Sequence, residues 1–416
     1  MSGLRLSDAQ RLDWLQLIRC ANIGPRTFRM LLNKYGSAAA ALAALPELIG
    51  KSSGAAAVKF AARAEVEREI EATAALGGVF IALGEPDYPP ALAEIDTSPP
   101  VIVVRGALAA LQRPAIAMVG SRNASAAGLV FTARLAREFG RDGYGVVSGL
   151  ARGIDAAAHV AAMRSGTIAV LAGGHARVYP SEHEPMVDEI IEAGGAVITE
   201  MPLNWEPRGR DFPRRNRLVS GLSQAVVVVE AARRSGSLIT ARFALEQGRE
   251  VFAVPGSPLD PRAEGANDLL REGAGLCTRP EDVTDALNAG TVGAGGRKTD
   301  LFSDSAGPPG EALWDEAELF EAGQLATPAS DPMSEMDEPG PLTPLGAGAS
   351  RQTPAAAFAP APKNLLELLG PSPVALDDLV RASGRPAGDV MREVFELELA
   401  GRVQRHGNSL VGLRTG

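Results

Sequence analysis

The sequence has few cysteines and no long apolar run, and each shortage excludes a class of protein. Its 416 residues include two cysteines, Cys20 and Cys277, which lie far apart in the chain. A disulfide framework and a structural zinc site are therefore both disfavoured. No apolar run reaches the roughly 18 residues that span a bilayer, and the first residues lack the pattern of a signal peptide. We expect a cytoplasmic protein that does not bind a membrane.

Two nucleotide-binding motifs are also missing. The sequence has no GxxxxGK[ST], which argues against P-loop ATP hydrolysis, and no GxGxxG that would indicate dinucleotide binding. His159 falls on an alanine-rich helix, and we interpret it as a packed residue rather than a catalytic one. Glu200 and Glu230 end predicted strands, where two carboxylates could perform acid–base chemistry. We expect them instead to bind loop amides or arginines. We predict no catalytic residue, no metal site and no cofactor, and hence no enzyme.

The net charge of −9 is unfavourable for a nucleic-acid-binding protein until it is divided along the chain. Residues 290–362 hold eleven acidic and three basic residues and so carry −8, which leaves −1 for the rest. That stretch also holds ten prolines and cannot bury enough apolar area to fold. We predict that residues 289–362 are a disordered acidic linker, within which 311–323 could form a short docking helix.

Hydrophobic spacing predicts a helical domain at residues 1–75. Its apolar residues recur three and four positions apart, and Ile23-Gly24-Pro25 marks a turn between two helices. This arrangement is similar to a helix-hairpin-helix or sterile-alpha-motif-like unit, whose turn amides could bind a phosphate. A plain helical packing module is the alternative.

Residues 363–416 predict three helices and a hairpin, which together form a winged helix. The helix in the recognition position, about 387–400, carries four acidic residues and one arginine. Such a helix is unsuited to the phosphate-lined major groove. We therefore expect this domain to contact protein, or to touch DNA only through Arg402 and Arg405.

Residues 76–288 predict a Rossmann-like α/β core with a doubly wound parallel sheet. Apolar, β-branched runs alternate there with amphipathic helices. The six runs are residues 115–120, 145–149, 167–173, 196–200, 225–231 and 250–256. The stretch before them, 79–106, predicts flanking strands. Ligands of such sheets bind outside the carboxyl ends of the strands.

The loops that follow these strands are rich in glycine, serine and arginine. Glycine permits close approach of the backbone, helix N-termini offer amides to an anion, and arginine forms charge-assisted bonds to phosphate. Several such loops on one edge suit a polymer backbone better than a mononucleotide, although ordinary tight turns are the alternative. The candidate phosphate-contacting residues are Ser121, Arg122, Ser148, Gly149, Arg152, Gly153, Gly173, Gly174, Ser235, Gly236 and Ser237.

Residues 204–217 combine five arginines and two acids, a local charge of +3, with Trp205 and Phe212. Single-stranded nucleic acid is bound by this combination, with cations for the phosphates and aromatic faces for the unstacked bases. The alternative is a surface loop whose Phe212 is tucked into the core. The candidates here are Phe212, Arg214, Arg215, Asn216 and Arg217, and Asn216 could instead fix the loop by capping.

Several motifs occur in order between residues 119 and 274. They are VGSR (119–122), SGLARGIDAAAH (148–159), AVLAGG…YP (169–180), FPRRNR (212–217), VVEAARRSGSLITA (228–241), VFAVPG (251–256) and GANDLLREGA (265–274). Together they resemble the DNA-processing protein A (Smf) family. The resemblance implies that the protein binds and protects single-stranded DNA during natural transformation, loads the recombinase RecA, and forms a homodimer through the core. By position, it places Arg122, Phe212, Arg214, Asn216 and Arg217 in the DNA groove, beside Ser148, Gly149 and Gly153.

Two other functions fit the same fold. One is binding or cleavage of a nucleotide-derived small ligand by a phosphoribohydrolase-like enzyme. Such enzymes carry a motif similar to PGGxGTxxE, and the corresponding stretch here, EAARRSGSLITA (230–241), lacks the acidic residue of that motif. The other is a nucleotide-signal sensor with the winged helix as output. The DNA hypothesis requires Arg122 and residues 212–217 to lie on the same side of the molecule.

Overall fold

The computed structural model describes residues 5–50, 60–290, 365–369, 374–400, 402–406 and 410–413. Nearly all of the predicted acidic linker, including the docking helix at 311–323, lies outside the described residues.

The N-terminal domain contains four helices within the described residues: α1 (Asp8–Arg19), α2 (Pro25–Tyr35), α3 (Ala38–Gly50) and α4 (Arg63–Ala75). Helix α1 begins at a capping box, in which Ser7 and Gln10 bind each other's backbone amides. Helix α2 begins after Gly24 with proline at its first position, so the predicted turn does separate α1 from α2. Helix α3 falls within the predicted helical domain, but its alanine-rich sequence has no distinct apolar face that would mark it separately.

The core contains a nine-stranded sheet in the order β1-β2-β6-β5-β4-β3-β7-β8-β9. Neighbouring strands from β6 to β9 in that order are parallel, whereas β2 is antiparallel to both β1 and β6. The six predicted core strands and the Rossmann-like class are thus confirmed. The strands are β1 (Gly78–Ala82), β2 (Val101–Gly106), β3 (Ala115–Val119), β4 (Gly145–Ser148), β5 (Thr167–Val170), β6 (Ala196–Thr199), β7 (Ala225–Val228), β8 (Glu250–Ala253) and β9 (Gly275–Leu276).

Helices cover both faces of the sheet. Ile116 and Met118 pack on one face with Phe139, whereas Ala117 and Val119 pack on the other, which follows from the two-residue period of a strand. Burial on both faces explains why the strands are continuously apolar. The helices are α5 (Pro90–Ala93), α6 (Ala126–Arg141), α7 (Ile154–Ala162), α8 (Glu184–Glu192), α9 (Asp211–Gly221), α10 (Gly236–Glu246), α11 (Glu264–Arg271) and α12 (Glu281–Asn288), with short 3-10 helices at Leu108–Gln112 and Ser181–His183.

The C-terminal domain is a winged helix, as predicted. Its elements are a 3-10 helix (Leu365–Glu367), β10 (Val374–Ala375), α13 (Leu376–Ser383), α14 (Ala387–Leu399), β11 (Val403–His406) and β12 (Leu410–Leu413), with strand order β10-β12-β11. The first of the three predicted helices is only a 3-10 turn in the described residues.

The winged helix packs on the core at the start of α6. The Ala126 amide donates to the Leu368 carbonyl at 3.0 Å, and the Arg262 guanidinium donates to the Leu369 carbonyl at 3.0 Å. The Ala126 side chain is part of the winged helix's own apolar cluster. Among the described residues, no helix is long and apolar enough to cross a membrane.

Candidate nucleic-acid interface

The order of the strands brings two loops together at the carboxyl end of the sheet. The chain proceeds from β3 through β4 and β5 to β6 in one direction, and then returns to place β7 on the other side of β3. The loops after β3 and β7 therefore leave the sheet in opposite directions, which opens a crevice between them. The predicted site residues Ser121 and Arg122 lie in the first of these loops, and Ser235 ends the second, directly before Gly236 and Ser237 in the first turn of α10.

Arg122 lies on the same side of the molecule as Phe212. Its guanidinium carbon is 5.6 Å from the centroid of the Phe212 ring, and the Tyr179 ring meets Phe212 edge-on at 5.3 Å. A shallow depression of about 40 Å³ is lined by these three residues and by Arg152, among others. We call Arg122, Arg152, Tyr179 and Phe212 the aromatic rim. The requirement that Arg122 and residues 212–217 share one side is confirmed.

The turn that bears Arg122 packs directly against the turn that precedes α7. The Ile154 amide donates to the Ser121 carbonyl at 3.2 Å. Gly153 has a φ of 72°, and a side chain there would clash with the Ser121 carbonyl. Only glycine combines this conformation with this approach at low cost. Gly153 therefore supports the rim through its backbone, and the Ser121 hydroxyl accepts the Asn123 amide at 3.2 Å within the same turn.

Arg215 does not lie on the surface, contrary to the expectation that it contacts DNA. It is 7% exposed, and its guanidinium donates to the Gly149 carbonyl and, at 2.6 Å, to the Val170 carbonyl. The Gly149 amide donates in turn to the Asp155 carboxylate at 3.0 Å. Burial lowers the pKa of Arg215 to about 10, although the Asp155 carboxylate opposes this, and burial raises the pKa of Asp155. Arg215 is therefore a structural cation beneath the rim.

Arg217 is likewise buried, which corrects its predicted place in the DNA groove. It is 2% exposed and donates to the Thr97 carbonyl and the Glu200 carboxylate. Arg214 is half-buried and donates to the other oxygen of Glu200 at 3.0 Å. Burial acts to raise the pKa of Glu200, but the two arginines outweigh it and leave that pKa below its usual value. Of the three arginines in FPRRNR, only Arg214 reaches the surface in part.

Four further candidates are buried rather than open to a ligand. The Ser148 hydroxyl donates to the Met118 carbonyl at 2.6 Å inside the sheet, and Gly149 lies against the Arg215 guanidinium. Gly173 and Gly174 pack against the backbone of residues 202–205. The expectation that these residues face phosphates is corrected: their side-chain positions are closed by protein atoms.

The 235–237 turn remains at the surface in part. Ser235 caps α10, accepting the Ser237 amide at 3.4 Å, and the two hydroxyls lie 2.7 Å apart. Gly236 is exposed, and its carbonyl accepts from the Asn216 side chain at 3.1 Å. Asn216 thus joins α9 to the start of α10 by donating to a carbonyl, rather than by the capping that the sequence left open.

The polar residues considered above as possible catalytic groups, Glu200, Glu230 and His159, form hydrogen bonds within the protein. Glu230 accepts the Ser125 amide at 2.9 Å, and Glu200 binds arginines, so both carboxylates behave as expected. His159 is buried against the Thr167 hydroxyl, 2.7 Å from Nδ1, and burial lowers its pKa to about 3. The interpretation of His159 as a packed residue is confirmed. Within the part of the chain that the structure describes, no group of His, Cys, Asp or Glu is arranged to hold a metal ion.

Tyr179 is the rim residue that the candidate set missed. It is 53% exposed and lines the depression together with Arg122. A signal was present, since Tyr179-Pro180 follows closely after the third predicted strand, but a lone tyrosine in a loop gives no indication of its partner. Arg152, also on the rim, is held by the Glu182 carboxylate at 2.9 Å.

These features define a class: a Rossmann-like core with an arginine- and aromatic-lined rim at the carboxyl ends of its strands, flanked by a helical domain and a winged helix. The family model for DNA recombination-mediator protein A matches residues 79–288. Models for a DprA-like N-terminal HHH domain and a DprA winged helix domain match residues 8–72 and 349–408. The chain belongs to the DNA recombination-mediator protein A family.

Several proteins are similar to this chain over much of its length. Protein Smf of Synechocystis is 32% identical over 332 residues, 78% of each chain, and the DNA processing protein DprA of Bacillus subtilis is 41% identical over 210 residues, 50% of this chain and 70% of that protein. The match to protein Smf of Escherichia coli, at 45% identity, spans 49% of this chain but only 55% of that protein. The structure of DNA processing protein A from Streptococcus pneumoniae superposes with a TM-score of 0.54 and 29% identity, covering 68% of this chain and 98% of that one.

Proposed function

We propose that this protein binds single-stranded DNA along the aromatic rim, without catalysing a reaction. The observation that carries the proposal is the placement of the exposed Arg122 guanidinium over Phe212, with the exposed Tyr179 ring beside it. A guanidinium binds phosphate, and an aromatic face stacks on an unpaired base. Bases in a duplex are already stacked and paired, so this combination suits a single strand.

A small nucleotide-derived ligand is less well supported at the rim. The depression there has a volume of about 40 Å³, whereas pockets that enclose small ligands have volumes of roughly 300–1,000 Å³. The stretch EAARRSGSLITA also lacks the acid of the hydrolase pattern. A polymer that lies across a shallow surface fits this shape better than a ligand that must be enclosed.

The finer parts of the proposal rest on membership of the family. Relatives of this chain are named DNA processing proteins. We infer that the protein acts in the cytoplasm during natural transformation, where it protects incoming single strands, loads RecA onto them and works as a homodimer through its core.

The test is binding of dT oligomers to the whole protein at several salt concentrations. Arg122→Ala should weaken binding and make the salt dependence shallower, because each lost phosphate contact changes the log–log slope by about 0.7 for a single strand. Arg141→Ala is the matched control, since Arg141 is an exposed arginine at the far end of α6. An unchanged slope in Arg122→Ala, or tighter binding of AMP than of oligomers, would contradict the proposal.

The winged helix is not needed for this binding. Helix α14 exposes Met391 and Phe395 and carries Asp389, Glu393, Glu396 and Glu398 against a single Arg392. Such a surface repels phosphates and suits a protein partner. A chain that ends at residue 290 should therefore bind dT oligomers with the same salt slope as the whole protein. A markedly shallower slope in the shortened chain would place phosphate contacts in the winged helix.

A further inference from the structure

A second and larger cavity lies between the helical domain and the core. Its volume is about 840 Å³. One wall is formed by residues 20–27, which are the turn between α1 and α2 and the first turn of α2, together with α4. The other wall is formed by the residues that follow β6, by Trp205 and by the first turns of α9. We call this cavity the interdomain cleft.

Ion pairs and hydrogen bonds fix the two walls relative to each other. Arg19 donates to the Glu69 carboxylate at 2.8 Å and to the Glu200 carbonyl at 3.1 Å, so it joins the helical domain to the core. Arg11 binds the buried Glu85 carboxylate at 2.6 Å, which is a second contact between the helical domain and the core. Charge-assisted bonds of this kind are short and strong, so the cleft has a defined shape.

The walls of the cleft carry a net charge of +1, and the ion pairs within them engage three of the arginines, Arg19, Arg214 and Arg217. Five arginines and four acids line it, namely Arg19, Arg26, Arg210, Arg214 and Arg217 against Glu65, Glu69, Glu200 and Asp211. Three of the four acids are bound within the walls: Glu69 by Arg19, Glu200 by two arginines, and Asp211 by the Trp205 indole at 2.9 Å and the Arg208 amide at 2.8 Å. The exposed Arg26 stands at the turn, where α2 begins without a side-chain cap on its first amides.

The cleft adjoins the aromatic rim across the first turn of α9. Asp211 and Arg214 line the cleft, whereas Phe212 and Arg215 line the depression at the rim. Successive residues of one helical turn thus face the two sites. A strand that crosses this turn would pass from Phe212 to Arg214 and then to the turn that bears Arg26. Aromatic surface continues along this path in the half-buried Trp205, with Arg208 5.3 Å above its ring.

We propose that the interdomain cleft is a second binding segment for the same single-stranded DNA, entered over the first turn of α9. This inference rests on the proposed function of the rim and extends it. The cleft would bind phosphates and bases beyond those that the rim can hold, so it would contribute only when the strand is long enough to reach it.

The experiment is a length series of dT oligomers, from about 4 to about 20 nucleotides, bound to the whole protein carrying Arg26→Glu. We expect affinity for the longest oligomers to fall about tenfold, with a shallower salt slope, while the shortest oligomers bind as before. Arg29→Glu is the matched control, because Arg29 is exposed on the same helix but does not line the cleft. Thermal unfolding of both variants checks that the fold is intact.

The outcomes separate this inference from the proposed function. Loss of affinity at every length in Arg122→Ala supports the rim, and an effect of Arg26→Glu confined to long oligomers supports the cleft. Equal affinities of Arg26→Glu and Arg29→Glu for oligomers of every length would overturn the proposal that the cleft binds DNA, and would leave the proposed function of the rim unaffected. So would binding of thymidine monophosphate that Arg26→Glu abolishes, since that would assign the cleft to a free nucleotide.

Discussion

Arg215→Met should lower the free energy of unfolding by about 3–5 kcal/mol, the scale of the cost of leaving a buried charge without the opposite charge that compensates it. Arg215 donates to the Gly149 carbonyl and Asp155 accepts the Gly149 amide, so the two buried charges bind successive peptide groups and stabilise each other. Without the guanidinium, a buried carboxylate loses its compensating cation, and the Gly149 and Val170 carbonyls lose their donor. Urea denaturation of the whole protein measures the difference, with Arg234→Met as control because Arg234 is exposed in the loop after β7.

The destabilisation of Arg215→Met should depend on pH in a defined direction. Burial already raises the pKa of Asp155, and removal of Arg215 raises it further. A carboxyl whose pKa is higher in the folded than in the unfolded state binds more protons when folded, so stability increases as pH falls. The deficit should therefore shrink in acid, and Asp155→Asn in the same chain should remove most of this pH dependence. A deficit that is equal at pH 5 and pH 8 would show that the charge of Asp155 is not its cause.

The arrangement of the core could be predicted because both faces of its strands are buried. Continuous runs such as AVVV at 225–228 have few alternatives to a central parallel strand, and the strand order then opens the crevice beside β3. The connection from β6 to β7 must also cross β5, β4 and β3, and it carries Phe212, so the contact of Phe212 with Arg122 agrees with that order. This part of the site was therefore accessible from the sequence.

The orientation of the arginines in FPRRNR could not be predicted. A run of arginines is usually a solvated surface, because arginine is seldom buried without a partner. Here the partners are Glu200 for Arg217, and the Gly149 and Val170 carbonyls for Arg215, at least 17 residues away in the chain. Residues 211–217 also begin helix α9, so Arg214 and Arg217 share one face while Arg215 points to another. Pairing with groups that are distant in the sequence therefore determines which of these arginines are buried and which reaches the surface.

The glycines of the predicted phosphate-binding loops are likewise used for contacts within the protein. Gly149, Gly173 and Gly174 carry the signature of a phosphate-binding loop, yet the structure uses their lack of a side chain for contact with other protein segments. Close approach to a ligand and close approach to a neighbouring loop impose the same requirement on a residue. The sequence indicates that a position must lack a side chain. Only the packing around that position shows whether a ligand or another protein segment lies against it.

Phe212→Ala should weaken binding of dT oligomers by about 5- to 150-fold, which corresponds to the roughly 1–3 kcal/mol of one base–aromatic stack. The salt slope should stay unchanged because no charge is removed, in contrast to Arg122→Ala. Fluorescence anisotropy with labelled oligomers measures both quantities. Phe212→Leu retains apolar bulk beside Tyr179 but lacks the ring, so it separates stacking from packing.

The two rim substitutions should not act independently. Arg122 lies over the Phe212 ring in the free protein, so loss of the ring removes a surface that orients the guanidinium. In a double-mutant cycle on oligomer affinity, Arg122→Ala should therefore cost less in the Phe212→Ala background than in the wild type. Additive effects would mean that the cation and the ring meet the strand as separate contacts. A normal affinity in Phe212→Ala, with a wild-type melting temperature, would remove the aromatic half of the rim from the binding surface.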